Sequence, residues 1–247
     1  MTARPRVLVV GAALASTLLL AGGAGAQTSG ATPAKPAAAR AAKGAASRAA
    51  AVPASPDLVA TYGPRFASLC AACHGPNGRG EMAGTPVLAG QHGFYAITQL
   101  FLFREGRRAN EAMTAVAKTM SDDDMRGFAA VIDALPAVPA PPSPTASDPA
   151  RMAKGRELAG QHKCAFCHGD DLSGGQQVPR IGGQREDYMR DTLRDFKSGK
   201  RPGYTQAMGA AVSQVPVEDL DTLAWYAARV PVATGTSTAA SAPTARR

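Results

Sequence analysis

Apolar positions in the second half of each repeating stretch fall at helical spacing. Met125, Phe128, Ala129 and Ile132 recur at i, i+3, i+4 and i+7, the stripe of a helix with one buried face. Ser121, with Asp124 three residues on, has the pattern of a capping box at its start, and Pro136 stops it. Leu220, Leu223, Ala224 and Ala227 repeat the stripe nearer the C-terminus, opening near Pro216 and ending before Pro231. A further amphipathic helix is predicted from Phe94 to Arg104, with a counterpart from Asp187 to Ser198. No stretch alternates apolar and polar residues well enough to be a strand. The pattern predicts an all-α fold of short helices and loops.

The two sets of helices are copies. Cys70 and Cys164, Cys73 and Cys167, and His74 and His168 are each 94 residues apart. Pro86 to Gln91 answers Pro179 to Gln184 at an offset of 93, which Tyr95 and Tyr188, Leu100 and Leu193, and Phe103 and Phe196 keep. Offsets this constant mean one fold used twice. The repeats span 57–136 and 150–232, and each is expected to hold three or four helices. Between them, 137–149 carries five prolines in thirteen residues. Such a segment favours extended polyproline II, a semi-rigid spacer up to roughly 40 Å long. About 80 residues make a thin core, so a non-protein body is expected at the centre of each repeat.

Composition changes the picture mainly at the ends. The chain of 247 residues has a formal charge of +8, which at first suggests a nucleic-acid partner. Eight of the 27 bases lie in the tails, however, and all 19 acids lie between them with the other 19 bases, so the repeats are jointly neutral and no nucleic acid is expected. Arg4 and Arg6, the apolar run Val7 to Ala21 and the small residues Ala24-Gly25-Ala26 form a secretory signal over 1–26. The apolar run is short for a bilayer span, so cleavage and export to the periplasm are expected, with membrane anchoring the outcome if the signal stays. Residues 27–56, rich in Ala, Pro, Lys and Arg, read as a disordered cationic tether. It is a spacer or a weak contact to a membrane surface. Residues 233–247 read as a disordered tail.

Cys70-Ala-Ala-Cys73-His74 and Cys164-Ala-Phe-Cys167-His168 match the attachment signature for haem c. Cysteines at i and i+3 share one face of a helical turn and can each bond a vinyl group of the porphyrin, and the next residue brings an imidazole beneath the iron. A zinc site would join both pairs in one tetrahedron, yet each pair has its own histidine. A redox or structural disulfide does not explain a histidine in the same place twice. Two covalently bound haem c groups follow.

The opposite axial ligand falls to methionine. His92 has no copy and His162 lies on the attachment side, so both read as surface residues. Met113 lies 39 residues after His74, Met208 lies 40 after His168, and each stands eight residues before the last helix of its repeat. Met120 competes in the first repeat, but Val215 occupies its copy. A thioether favours Fe(II), raises the potential and closes the iron to small molecules, as an electron relay needs. Pro86 and Pro179 either lend a carbonyl to the other imidazole nitrogen or merely shape a turn.

With these residues in place, the chain resembles a class I cytochrome c repeated, most like the dihaem cytochrome c4 family. The resemblance covers about Asp57 to Val230 and rests on Cys70 to Gly75, Leu88 to Gln91, Phe103 to Arg108, Met113 to Met120 leading into Ser121 to Asp124, and their second-repeat partners. It implies His74 with Met113 and His168 with Met208 as axial pairs, with the proline before the Leu-Ala-Gly-Gln stretch orienting the histidine. It also implies electron relay in the periplasm, from a quinol-oxidising complex or dehydrogenase to a haem–copper terminal oxidase. Other readings are a cytochrome subunit of a larger dehydrogenase or oxidase, or a dihaem enzyme such as a peroxidase or a thiosulfate dehydrogenase. Three features depart from the family pattern: the proline linker, longer and stiffer than a compact dihaem protein needs, which leaves open whether the repeats pack together or are spaced apart; the cationic segment before Asp57; and Ala130-Val131 where the second repeat has Trp225-Tyr226.

Overall fold

The computed structural model describes residues 55–144 and 146–233. The signal sequence, all of the tether before Ser55 and the tail beyond Ala233 lie outside the described residues. Within them the chain forms five helices per repeat. The first repeat has α1 (Pro56–Leu69), α2 (Ala71–His74), α3 (Gly93–Arg104), α4 (Glu111–Ala117) and α5 (Asp122–Ala134). The second has α6 (Pro149–Gln161), α7 (Cys164–His168), α8 (Glu186–Ser198), α9 (Ala207–Ser213) and α10 (Val217–Ala227). The described residues hold no strand, only an isolated bridge between Gly175 and Val178.

Helix starts follow local chemistry. Pro56 and Pro149 stand in the first turns of α1 and α6, where a missing N–H costs nothing. Asp148 accepts from the backbone N–H groups of Ala150 and Arg151, Asn110 accepts from Met113 N–H, and Ser121 with Asp124 completes the expected capping box of α5. The opening helix of each repeat was not legible in the pattern. Gly63 and Pro64 lie inside α1 without breaking it, and α6 has a mostly polar sequence.

In each repeat the first and last helices cross and α3 or α8 packs against the last. Phe66, Leu100, Met125, Phe128 and Ile132 form the first core, and Leu158, Leu193, Leu220, Leu223 and Trp225 the second. The crossings are tight because one helix supplies a glycine and the other a tyrosine, but the roles are exchanged. In the first repeat Tyr62 of α1 lies on Gly127 of α5, and in the second Tyr226 of α10 lies on Gly155 of α6. The aromatic missing at Ala130-Val131 is thus supplied from the opposite helix. Tyr62 packs edge-on to Phe128 with centroids 5.4 Å apart.

The repeats dock directly, which corrects the picture of a spacer holding them apart. Gln184 Oε1 accepts from Val87 N–H at 2.7 Å, and its Nε2 donates to Val87 O at 3.0 Å. Gln91 mirrors this on the other side: its Nε2 donates to Arg180 O at 2.6 Å and its Oε1 accepts from Arg180 N–H at 3.1 Å. The linker runs along the same seam. Arg79 Nε donates to Pro139 O at 3.1 Å, and Ala140 N–H donates to Gly183 O at 2.8 Å. Proline content predicts an extended backbone but not where it lies, and its free carbonyls and N–H groups bond to both repeats.

Candidate functional site

The two Cys-x-x-Cys-His turns are built alike. Cys70 precedes α2, Cys164 opens α7, and the glycine after each histidine has φ of 80°. The positive φ turns the chain back at once, and the histidine carbonyl then accepts from Gly80 N–H in the first repeat and Gly174 N–H in the second, each at 2.7 Å. No disulfide joins the four cysteines. Cys70 and Cys164 are half-buried, whereas Cys73 and Cys167 are exposed. Burial pushes the Cys70 thiol up to about 11 and raises Cys164 as well.

Both histidines are buried, and each is fixed by the proline singled out in the sequence. His74 Nδ1 lies 3.0 Å from Pro86 O and His168 Nδ1 lies 2.9 Å from Pro179 O. A carbonyl can only accept, so Nδ1 carries the proton in each ring and the Nε2 lone pair is left for a metal. Burial lowers the pKa of both rings, more than the proline carbonyls raise it. This keeps the imidazoles neutral, as a ligand must be.

The methionines sit at equivalent places. Met113 is in α4 and Met208 in α9, and both are partly buried against the core of their own repeat. Met120 follows α4 and is buried at 6% exposure, matched by Val215 at 1%. A residue whose copy is valine at the same depth is serving as packing. His92, read as a surface residue, is half-buried and lies with Nε2 2.9 Å from Ser173 O of the other repeat. His162 is half-buried too, with Nε2 lacking a protein partner.

The donor set fits an iron porphyrin: two free thiols on one turn, an imidazole with its tautomer fixed, and a thioether from a short helix. Cys70, Cys73, His74 and Met113 would hold one group, and Cys164, Cys167, His168 and Met208 the other. The group, when bound, supplies one-electron chemistry at its iron; the chain supplies ligands and a dry setting.

Sequence reasoning missed the polar groups between the repeats. Arg201 Nη2 donates to Tyr95 Oη at 3.1 Å and Gln99 Oε1 at 3.2 Å, and Arg108 Nη2 donates to Tyr188 Oη at 2.9 Å. Burial raises the Tyr188 pKa, but Arg108 and Arg201 outweigh it and bring the phenol below its ordinary value. Arg180 is buried at 4% exposure and donates to Ala89 O at 2.6 Å and to Gly182 O; burial lowers its pKa to about 10. The shared offset of Tyr95 with Tyr188 and of Gln91 with Gln184 was visible. That these residues face one another was not.

A family model for cytochrome c matches residues 60–134 and again 152–226. The chain is 36% identical over 155 residues to cytochrome c4 of Thiocapsa roseopersicina, covering 58% of this chain and 78% of that protein. It is 33% identical over 176 residues to a thiosulfate dehydrogenase electron acceptor of Stutzerimonas stutzeri, covering 66% and 80%. The crystal structure of reduced recombinant cytochrome c4 from Pseudomonas stutzeri superposes with a TM-score of 0.61 at 27% identity, covering 70% of this chain and 98% of that one.

Proposed function

Because the chain belongs to the cytochrome c family, as a dihaem protein of the cytochrome c4 kind with two covalently bound haem c groups, we propose that it is a periplasmic relay of single electrons whose irons are ligated by His74 with Met113 and by His168 with Met208. The observation that carries the ligation is the twofold commitment of histidine Nδ1 to a proline carbonyl. It leaves the Nε2 lone pair of each ring for a metal, and Met113 or Met208, partly buried against the core of its own repeat, would supply the second ligand. Irons ligated on both sides by these residues would pass electrons without binding substrate, so no catalytic residue is assigned.

Held by Cys70, Cys73, His74 and Met113 and by Cys164, Cys167, His168 and Met208, the two groups would supply one-electron chemistry between a reduced and an oxidised protein partner. No bond to substrate forms. A quinol-oxidising complex or a dehydrogenase is the donor and a haem–copper oxidase the acceptor. A second reading is favoured by the relative named as a thiosulfate dehydrogenase electron acceptor: the donor is then a sulfur-compound dehydrogenase. Reduction rates measured with each purified donor separate the two. The ligation is tested with carbon monoxide. The ferrous protein is expected to change little, whereas Met208→Ala opens the second iron and binds the gas. An unaltered low-spin spectrum in that variant refutes Met208 as ligand. A Gln27 N-terminus on the protein isolated from its host tests export with signal cleavage.

A further inference from the structure

Each proximal histidine is bonded to a peptide group, and that peptide group is bonded in turn to the other repeat. The Pro86 carbonyl that accepts from His74 and the Val87 N–H that donates to Gln184 Oε1 belong to one peptide unit. Likewise the Pro179 carbonyl that accepts from His168 shares its unit with the Arg180 N–H that donates to Gln91 Oε1. A peptide is a conjugated plane. An acceptor that binds its N–H leaves the nitrogen richer in electrons, and resonance passes that density to the carbonyl oxygen, which becomes a stronger acceptor, so bonds on the two ends reinforce each other.

We propose that Gln184 and Gln91 are positioning residues that tune the haems crosswise: Gln184, in the second repeat, sets the donor strength of His74, and Gln91, in the first, sets that of His168.

Several observations make the glutamines more than glue. Both are buried, at 6% for Gln91 and 3% for Gln184. Each grips both ends of one residue of the opposite repeat, N–H and carbonyl alike. The residues gripped, Val87 and Arg180, share no side-chain chemistry, so the grip is on the backbone that follows the proline. The Val87 contact is the shorter at the acceptor end, 2.7 Å against 3.1 Å at Arg180. The stronger polarisation therefore falls on the His74 side.

The sign follows from the iron chemistry. A stronger bond from Nδ1–H to the carbonyl gives the imidazole more anionic character, which favours Fe(III). Removing the acceptor on the far side weakens that bond and favours Fe(II).

The inference rests on the haem ligation proposed above, and its test uses the full haem-loaded protein. Wild type, Gln184→Met and Gln91→Met are poised at fixed potentials, and each haem is followed separately by its assigned paramagnetic NMR resonances. Gln184→Met is expected to raise the reduced-to-oxidised ratio of the first haem by about two- to fivefold, leaving the second nearly unmoved. Gln91→Met does the converse by a smaller factor. Deuterium exchange at the Nδ1–H of the histidine in the opposite repeat should accelerate in each variant. Gln184→Glu keeps an acceptor oxygen toward Val87 N–H, so it should not raise the ratio of the first haem; this variant carries the test if the methionine protein does not assemble. A shift confined to the haem of the mutated repeat, an equal shift in both, or none at all overturns the inference. Misassigned ligation shows itself differently, as an altered spin state or carbon monoxide response in the wild type.

Discussion

Replacing Gly155 by alanine tests how closely the terminal helices of the second repeat approach. A Cβ there would collide with Tyr226 Cβ and would lie 2.8 Å from its Cγ. The first of these atoms is fixed to the backbone of α10, so no side-chain rotation relieves the overlap and the two helices must separate. Overpacking of this kind costs about 2–3 kcal/mol, and the better helix propensity of alanine returns about 1 kcal/mol. The net loss is about 1–2 kcal/mol, a fall of about 2–8 °C in Tm for a protein of this size. Gly160 lies in the same helix with nothing within 4 Å of its Cβ position. Gly160→Ala keeps the propensity gain without the clash, so it should raise Tm by about 1–4 °C. Thermal unfolding of both variants of the haem-loaded protein, followed by far-ultraviolet circular dichroism, gives the comparison. A Gly155→Ala protein as stable as wild type would refute the close crossing, and opposite signs at the two glycines would establish it.

Further outcomes concern the caps and the surface. Ser121→Ala removes the cap of α5 and should cost about 1 kcal/mol in chemical denaturation. Asp124 is held at about 2, first by Ser121 N–H and then by Arg65. Its carboxylate favours the folded state fully above the ordinary value of 3.8 and ceases to do so as pH falls toward 2. An Asp124→Asn protein should accordingly be less stable than wild type at neutral pH, with the difference closing near pH 2 in acid titrations. The Phe166 ring is 89% exposed within the attachment turn, so Phe166→Ala should leave unfolding free energy within about 0.5 kcal/mol of wild type.

Much of this molecule could be read before any coordinates, for a physical reason. Haem attachment demands specific residue types at fixed spacing, so Cys70, Cys73 and His74 announce themselves, and duplication removes coincidence. Helix α5 was equally plain because its cap and its apolar stripe are both local. Helix α1 is hard to see in sequence because it holds Gly63 and Pro64, both poor helix formers, although the helix continues through them. The docking of the repeats is not legible in sequence because a proline-rich segment reveals backbone conformation and not position. Gln91 and Gln184 look like surface residues in sequence. Their burial depends on a partner about ninety positions away, and no local pattern carries that. The bonds of Pro86 and Pro179 were foreseen as one of two possibilities, and the distances to Nδ1 select the carbonyl.

The reciprocal clasp between Val87 with Gln184 and Arg180 with Gln91 bears on how such a molecule could be taken apart. Excising either copy would strip a buried amide and its carbonyl of their partners beside the imidazole, and water would take over both. A lone copy would then differ electronically from the same copy in place, so half the molecule is an unfaithful miniature of the whole. Duplication here leaves each copy with a buried backbone group that the other copy satisfies.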